Sequence, residues 1–268
     1  MEEMTSHNLF REGDRDLLSS SFEKVRASLS YLQADISPNA ICGQEFIKCS
    51  SFLNDGDLLS KVIRQSGRLI NAPDEQTAVS LFVISYSYRI LALGICTLFL
   101  AGVMPDSSPD NISFAISTGR VSKLCYLSSK YYPRSGDLHC DLKTVMDNII
   151  EDHFTILTER IKVSFSIGKR LLWGNISSSA ANVFRTLEGI LGEEIIPAGQ
   201  LFFELAPAEM KNQGNFYLLY HGEKRGWYWE RKNCCLYYKL SGKAKCNDCS
   251  LLSAETRRAN YQNQLSGE

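Results

Sequence analysis

The sequence carries no charge excess: 29 Lys and Arg stand against 30 Asp and Glu, a formal net charge of −1. Nucleic-acid-binding chains show a marked basic surplus, so nucleic acid is not expected among the partners. There is no internal repeat and no low-complexity linker to suggest an array of modules. Neither is there a nucleotide-binding glycine motif, so electrons for any redox chemistry must come from an external donor. With four histidines in the chain, no convincing catalytic triad or His/carboxylate metal set stands out. The opening residues, Met1 to His7, lack a basic segment and an apolar core, so no secretory signal is expected and a cytoplasmic setting is.

The longest apolar stretch runs from Thr77 to Met104, long enough to span a bilayer. Arg89 lies near its middle, and an arginine at bilayer depth costs at least about 2.5 kcal/mol. A buried helix is the expected form, with peripheral contact at the inner face of the cytoplasmic membrane left open. A chain of 268 residues buries roughly 70–75% of its unfolded surface, ample for a core without covalent staples.

Helical spacing marks Asp14–Gln33, Asp57–Asn71, the long run after Pro73-Asp74-Glu75, the Leu142–Ile161 region and Arg170–Leu191. Residues 34–54, with Pro38 and Gly43, read as loop with short helical pieces. Asn111–Ser117 and Val121–Leu127, joined by Ser117-Thr118-Gly119-Arg120, read as a β-hairpin. Ser177 to Ala181 are small enough to admit a close neighbour, and residues 197–213 are mixed in character. The expected class is α+β, mainly helical, with one hairpin or small antiparallel sheet. Composition divides it into residues 1–226, a cysteine-rich segment at 227–252 and a flexible tail at 253–268.

Nine cysteines are unevenly placed. Cys42, Cys49, Cys96, Cys125 and Cys140 are scattered, whereas Cys234, Cys235, Cys246 and Cys249 crowd together as C-C-x10-C-x2-C. One metal site in a reducing compartment explains this better than a disulfide framework. Cys246-Asn247-Asp248-Cys249 has the spacing that brings two thiolates to one metal from a tight turn. Spacing leaves structural zinc and a 2Fe-2S cluster both open. Between Glu223 and Cys249, seven basic residues face three acidic ones, which favours the anionic cluster by charge balance.

Arg231 and Lys232 are candidates for that balance or for contact with an anionic complex. Trp227-Tyr228-Trp229 would form an aromatic wall beside the metal or pack the segment onto the core. Trp173 and Asn175 are candidate pocket residues, with core packing and a helix cap as their plainer roles. Arg120 is a hairpin-turn residue and a candidate substrate contact, like Trp229 and Arg231. His153, on an apolar helix face, reads as a satisfied core histidine. His139 beside Cys140 and Asp141 is a weak metal corner, and His221 a candidate for proton coupling.

The cysteine segment, ending in Cys-Asn-Asp-Cys, resembles the C-terminal motif of the FhuF-like siderophore-iron reductases. Thr118-Gly119-Arg120-Val121, Leu171-Leu172-Trp173-Gly174-Asn175 and Leu201-Phe202-Phe203-Glu204 resemble the same family in order along the chain. The resemblance implies that Cys234, Cys235, Cys246 and Cys249 ligate one 2Fe-2S cluster. It further implies one-electron reduction of ferric siderophores, of hydroxamate type, at the cytoplasmic face. A ferredoxin, flavodoxin or flavin reductase would then be the electron donor. A non-enzymatic metal module, either a zinc-stabilised fold or an iron–sulfur sensor, is the alternative.

Overall fold

A computed structural model describes residues 11, 13–37 and 46–266; Pro38, Cys42 and Gly43 lie outside them. The Asp14 carboxylate accepts from the Leu17 amide at 2.8 Å and starts α1 (Arg15–Ser28), which buries Leu18, Phe22 and Val25. The chain then extends as β1 (Gln33–Ile36). After β2 (Ile47–Lys48) come α2 (Cys49–Asn54) and α3 (Gly56–Leu69), the latter capped by Asp55. The Asp74 carboxylate caps α4 (Glu75–Ala101) by accepting from Thr77 N at 2.7 Å.

The long apolar run is this helix, and it is apolar on every side. Such a helix needs enclosure all round. α4 passes the length and composition test for a membrane span, yet most of that stretch is buried within the fold. Val79, Phe82, Val83, Ile90, Leu91, Leu93 and Ile95 are fully enclosed, each contributing about 1.5–3 kcal/mol by leaving water.

Four short strands follow: β3 (Val103–Pro105), β4 (Ile112–Ser117), β5 (Arg120–Tyr126) and β6 (Tyr131–Pro133). The expected hairpin is β4–β5, and it sits inside a four-stranded sheet of order β1-β5-β4-β2, with β1 parallel to β5. Thr118 and Gly119 both take positive φ, 50° and 76°, the geometry of a tight two-residue turn. Gly119 has a second reason to lack a side chain: a Cβ there would lie 2.6 Å from Ile70 Cγ2 and 2.7 Å from the Ser66 carbonyl. Of residues 34–54, expected as loop with short helical pieces, the described ones include strand in β1 and β2 as well as the short helix α2.

The helical region from residue 138 onward runs as α5 (Leu138–Val145), a widened π-helical stretch (Met146–Thr155) and α6 (Ile156–Phe165). α7 (Lys169–Leu191) lies against α4 along the small residues expected to permit it, with Ser87 Oγ and Ser179 Oγ 3.0 Å apart. After α8 (Ile196–Leu205) and α9 (Ala208–Lys211) comes a second hairpin, β7 (Gly214–His221) and β8 (Lys224–Arg231). The compositional boundary at 226/227 falls within β8. Residues 254–266, expected as a flexible tail, form α10 (Ala254–Ser266). Its Tyr261 is buried against Tyr228, with centroids 5.1 Å apart, and its hydroxyl donates to the Trp227 carbonyl. That contact supplies the apolar anchor a polar helix otherwise lacks. The fold is mainly helical α+β, as expected.

His153 is the satisfied core histidine its position implied. Nδ1 lies 2.9 Å from the Ser107 carbonyl and Nε2 2.6 Å from the Tyr86 hydroxyl, which is 3.3 Å from Cys49 Sγ. A carbonyl only accepts, so Nδ1 carries the proton and Nε2 accepts from Tyr86. Full burial pushes the His153 pKa down to about 4, against the opposing bond to Ser107. The unfolded chain therefore takes up a proton that the fold refuses, and stability is lost as pH falls from about 6.5 toward 4, by roughly 3 kcal/mol in total. Urea unfolding across this interval should show that slope in the wild type and a shallower one in His153→Gln. Equal slopes would remove His153 from the acid response.

Candidate metal centre

The cysteine segment leaves β8 at Arg231 and is fixed at once to earlier parts of the chain. Lys232 N donates to the Gln213 carbonyl at 2.8 Å, and the Asn233 side-chain amide donates to Gln213 Oε1. Asn233 rests directly on Gly174 of α7, where a Cβ would meet its Nδ2 at 2.7 Å and its Cβ at 2.9 Å. The Cys235 carbonyl accepts from Ser80 Oγ of α4 at 2.7 Å. Asn175 holds that serine in turn, its Nδ2 donating to Ser80 Oγ at 2.9 Å and to the Ser80 carbonyl at 3.1 Å. Lys239 closes the seat with an ion pair to Asp74 at 2.9 Å.

Four thiols gather on this seat. Cys234 Sγ and Cys249 Sγ lie 3.6 Å apart, and Cys235 is close enough to Cys234 and Cys246 for its thiol to interact with theirs. Among the described residues no three His, Cys, Asp or Glu side chains form a group able to hold a single metal ion. The vicinal pair is managed by Leu236, which takes a left-handed conformation at φ 64°, at a cost of about 1–2 kcal/mol. That turn aims the Leu236 amide at Cys234 Sγ, 3.4 Å away. Cys249 N donates to the Cys246 carbonyl at 3.0 Å, which makes the tight turn between that pair.

Charge is arranged to suit anionic sulfur. The Cys234 thiol, then the Cys246 thiol, donate to Cys235 and hold it well below the usual thiol range, overcoming burial, with Arg231 helping. Cys234 and Cys246 are pushed up, first by their bonds to Cys235 and then by burial. Arg231 is buried, with a terminal nitrogen 3.6 Å from Cys235 Sγ and Nε 3.5 Å from the Asp248 carboxylate. Burial disfavours its charge, but Asp248, Cys235 and Cys246 outweigh that and keep it protonated. Four crowded thiols with a guanidinium and a backbone amide directed at two of them form a setting that suits anionic, metal-bound sulfur.

Residues 231–251 match the FhuF 2Fe-2S C-terminal domain. The match covers the cysteine segment and bears out the resemblance read from its motif. No curated protein matches the chain. Among solved structures, aerobactin synthetase IucC from a hypervirulent pathotype of Klebsiella pneumoniae is similar at 11% identity and a TM-score of 0.51. The likeness covers 71% of this chain, which spans 43% of that one, and it concerns the fold alone.

Beside the FhuF-type segment lies a cavity of about 390 Å³ whose wall includes Cys235 and Cys246. Arg120 and Arg231, two of the candidate substrate contacts, line it. Trp173, Asn175 and Trp229 are buried away from it. Trp173 belongs to the core, and Trp229 stacks on Phe203 with centroids 4.6 Å apart. Asn175 is a brace within α7 and not a cap, since α7 begins at Lys169. His221 is exposed at the tip of the β7–β8 hairpin, and Asp141 beside His139 is committed to Ser135 and Arg134. Arg89 and Ser80 are parts of the site that the sequence reading missed, the signal for Arg89 being an arginine within an apolar helix. Gly174 lies inside the Leu171–Asn175 motif, where only Trp173 and Asn175 stood out as site candidates.

Loss of the Asn175 brace should loosen the FhuF-type segment at a cost of about 1–3 kcal/mol, and Gly174→Ala should displace Asn233. Each variant should keep its far-ultraviolet circular dichroism while Cys234 and Cys235 react faster with a thiol reagent. Unchanged thiol reactivity in both would show that the seat does not depend on α7.

Proposed function

We propose that the protein is a cytoplasmic ferric siderophore reductase, acting on hydroxamate-type chelates through a 2Fe-2S cluster held by Cys234, Cys235, Cys246 and Cys249. The observation that carries the reading is the crowding of those four thiols within a segment matching the FhuF 2Fe-2S domain, with Cys235 and Cys246 on the wall of an open cavity. The match supports an iron–sulfur, siderophore-related role, and the fold is shared in part with a synthetase of a siderophore. When bound, the cluster supplies one-electron transfer.

The chain's own residues prepare for that exchange. Arg231 and the Leu236 amide offset negative charge on the sulfurs, which favours the more reduced, more anionic state. Cys235 and Cys246 bring two ligand positions to the cavity wall, where a chelate would approach. The substrate is Fe(III) in hard hydroxamate oxygens. It gains one electron and becomes Fe(II), which the same ligands hold weakly, so the metal leaves with no bond of the siderophore broken. No general acid, base or nucleophile is needed. A ferredoxin, flavodoxin or flavin reductase returns the electron.

Anaerobic reconstitution with iron and sulfide should give a coloured protein, and Cys246→Ser should lose most of that absorption while Cys140→Ser keeps it. The reduced protein should be reoxidised by ferric hydroxamates, with Fe(II) captured by a ferrous chelator. A colourless protein binding one zinc would instead support a structural module. A coloured protein inert toward every ferric chelate would indicate a sensor.

A further inference from the structure

The cavity over the cysteines is lined by three arginines, Arg89, Arg120 and Arg231, with Asp248 as the acidic residue among the wall residues named for it. Arg231 and Asp248 are paired with each other. Among the described residues, neither Arg89 nor Arg120 has a carboxylate within ion-pair distance. Two unneutralised guanidiniums thus share one concave wall with Cys235 and Cys246, in a chain whose net charge is −1.

Both are placed by the fold. Arg89 lies midway along α4, half-buried, where it donates to the Tyr31 carbonyl and sits over the Tyr31 ring, 5.7 Å from its centroid. Its guanidinium is thus held at the cavity wall by the Tyr31 carbonyl and ring, with no carboxylate of the described residues beside it. Arg120 stands exposed at the first position of β5, and its neighbour Val121 is tied to α4 by an amide bond to Ser85 Oγ at 2.9 Å. The tight turn at Thr118-Gly119 therefore delivers Arg120 to the same hollow as Arg89.

A ferric tris-hydroxamate is neutral, because three monoanionic ligands cancel the charge of Fe(III). Guanidiniums gain little from such a complex. They gain strong, bidentate, charge-assisted bonds from carboxylates carried on its periphery. An anionic chelate nearing four metal-bound thiolates is repelled, and Arg89 and Arg120 are the groups positioned to offset that repulsion. A hollow of about 390 Å³ has small-molecule dimensions, unlike the flat face expected for a protein partner.

We infer that Arg89 and Arg120 form a carboxylate-recognition site that selects ferric chelates of net negative charge for docking against Cys235 and Cys246. This rests on the reductase reading, and its test is chosen to be independent of electron transfer. Gallium(III) matches the size and coordination of Fe(III) and does not accept the electron. Calorimetry of the cluster-loaded protein would compare gallium(III) tris(succinohydroxamate), which is trianionic, with gallium(III) tris(acetohydroxamate), which is neutral, each in excess of its ligand.

The trianionic complex should bind at least about tenfold more tightly. Arg89→Gln with Arg120→Gln should erase that advantage and leave the neutral complex unaffected. Arg120→Gln alone, at an exposed position that folding does not need, should remove a measurable share of it. Equal affinities in the wild type, no effect of Arg120→Gln, or equally tight binding of metal-free succinohydroxamate would each overturn the inference. Should the gallium preference hold while the ferric counterparts fail to reoxidise the reduced protein, the reductase reading falls and the anion site stands.

Discussion

Everything in this fold answers to one constraint: α4 is apolar on all of its faces and must be enclosed on all of them. An amphipathic helix needs one partner surface; a helix like this needs a ring of them. α1, α3, α7, the strands β3 and β5 and the π-helical stretch supply that ring. Polar positions on α4 then become informative, because each one breaks the enclosure for a reason. Asp74 caps the helix and pairs with Lys239, Ser80 holds the Cys235 carbonyl, Ser85 holds Val121, and Arg89 opens on the cavity. Asp74 and Ser80 hold the cysteine segment, so the core helix also serves as a foundation of the site.

The cysteine segment shows how a short motif depends on distant residues. Its thiols come from within sixteen residues, yet their backbone is held by residues from α4, α7 and the Gln213 turn. Asn175 touches no sulfur. Its bonds to Ser80 nevertheless fix the hydroxyl that holds Cys235. The Leu171–Asn175 stretch serves the cysteine segment directly: Gly174 leaves room for Asn233, and Asn175 braces the seat.

What could be read in advance follows the range of the interactions involved. The cysteine motif was legible because thiol chemistry restricts what such crowding can be, and α4 because its run of apolar residues is long. The β4–β5 hairpin was legible from its turn. β1 was not, since four residues including Asp35 carry little pattern and the strand exists through parallel pairing with residues about ninety positions later. β7 escaped because its residues are half-exposed on both faces and lack clean alternation. α10 looked like a tail because it is polar almost throughout; one tyrosine anchors it. The cavity wall joins Arg89 and Arg120 to Cys235 and Cys246, and no local pattern reports a meeting of three distant segments.

The enclosure of α4 also has a cost during synthesis. Until α7 closes over it, α4 presents 27 residues with the length and apolarity that a bilayer or an insertion machinery accepts. α7 begins 68 residues after α4 ends, by the numbering of the two helices, so this interval is built into the order of the chain. Folding is therefore a race between burial in protein and burial in lipid, and Arg89 weights it toward protein by making the membrane the more expensive solvent. The residue inferred to receive the substrate is thus also the one that makes a bilayer the costlier home for its helix.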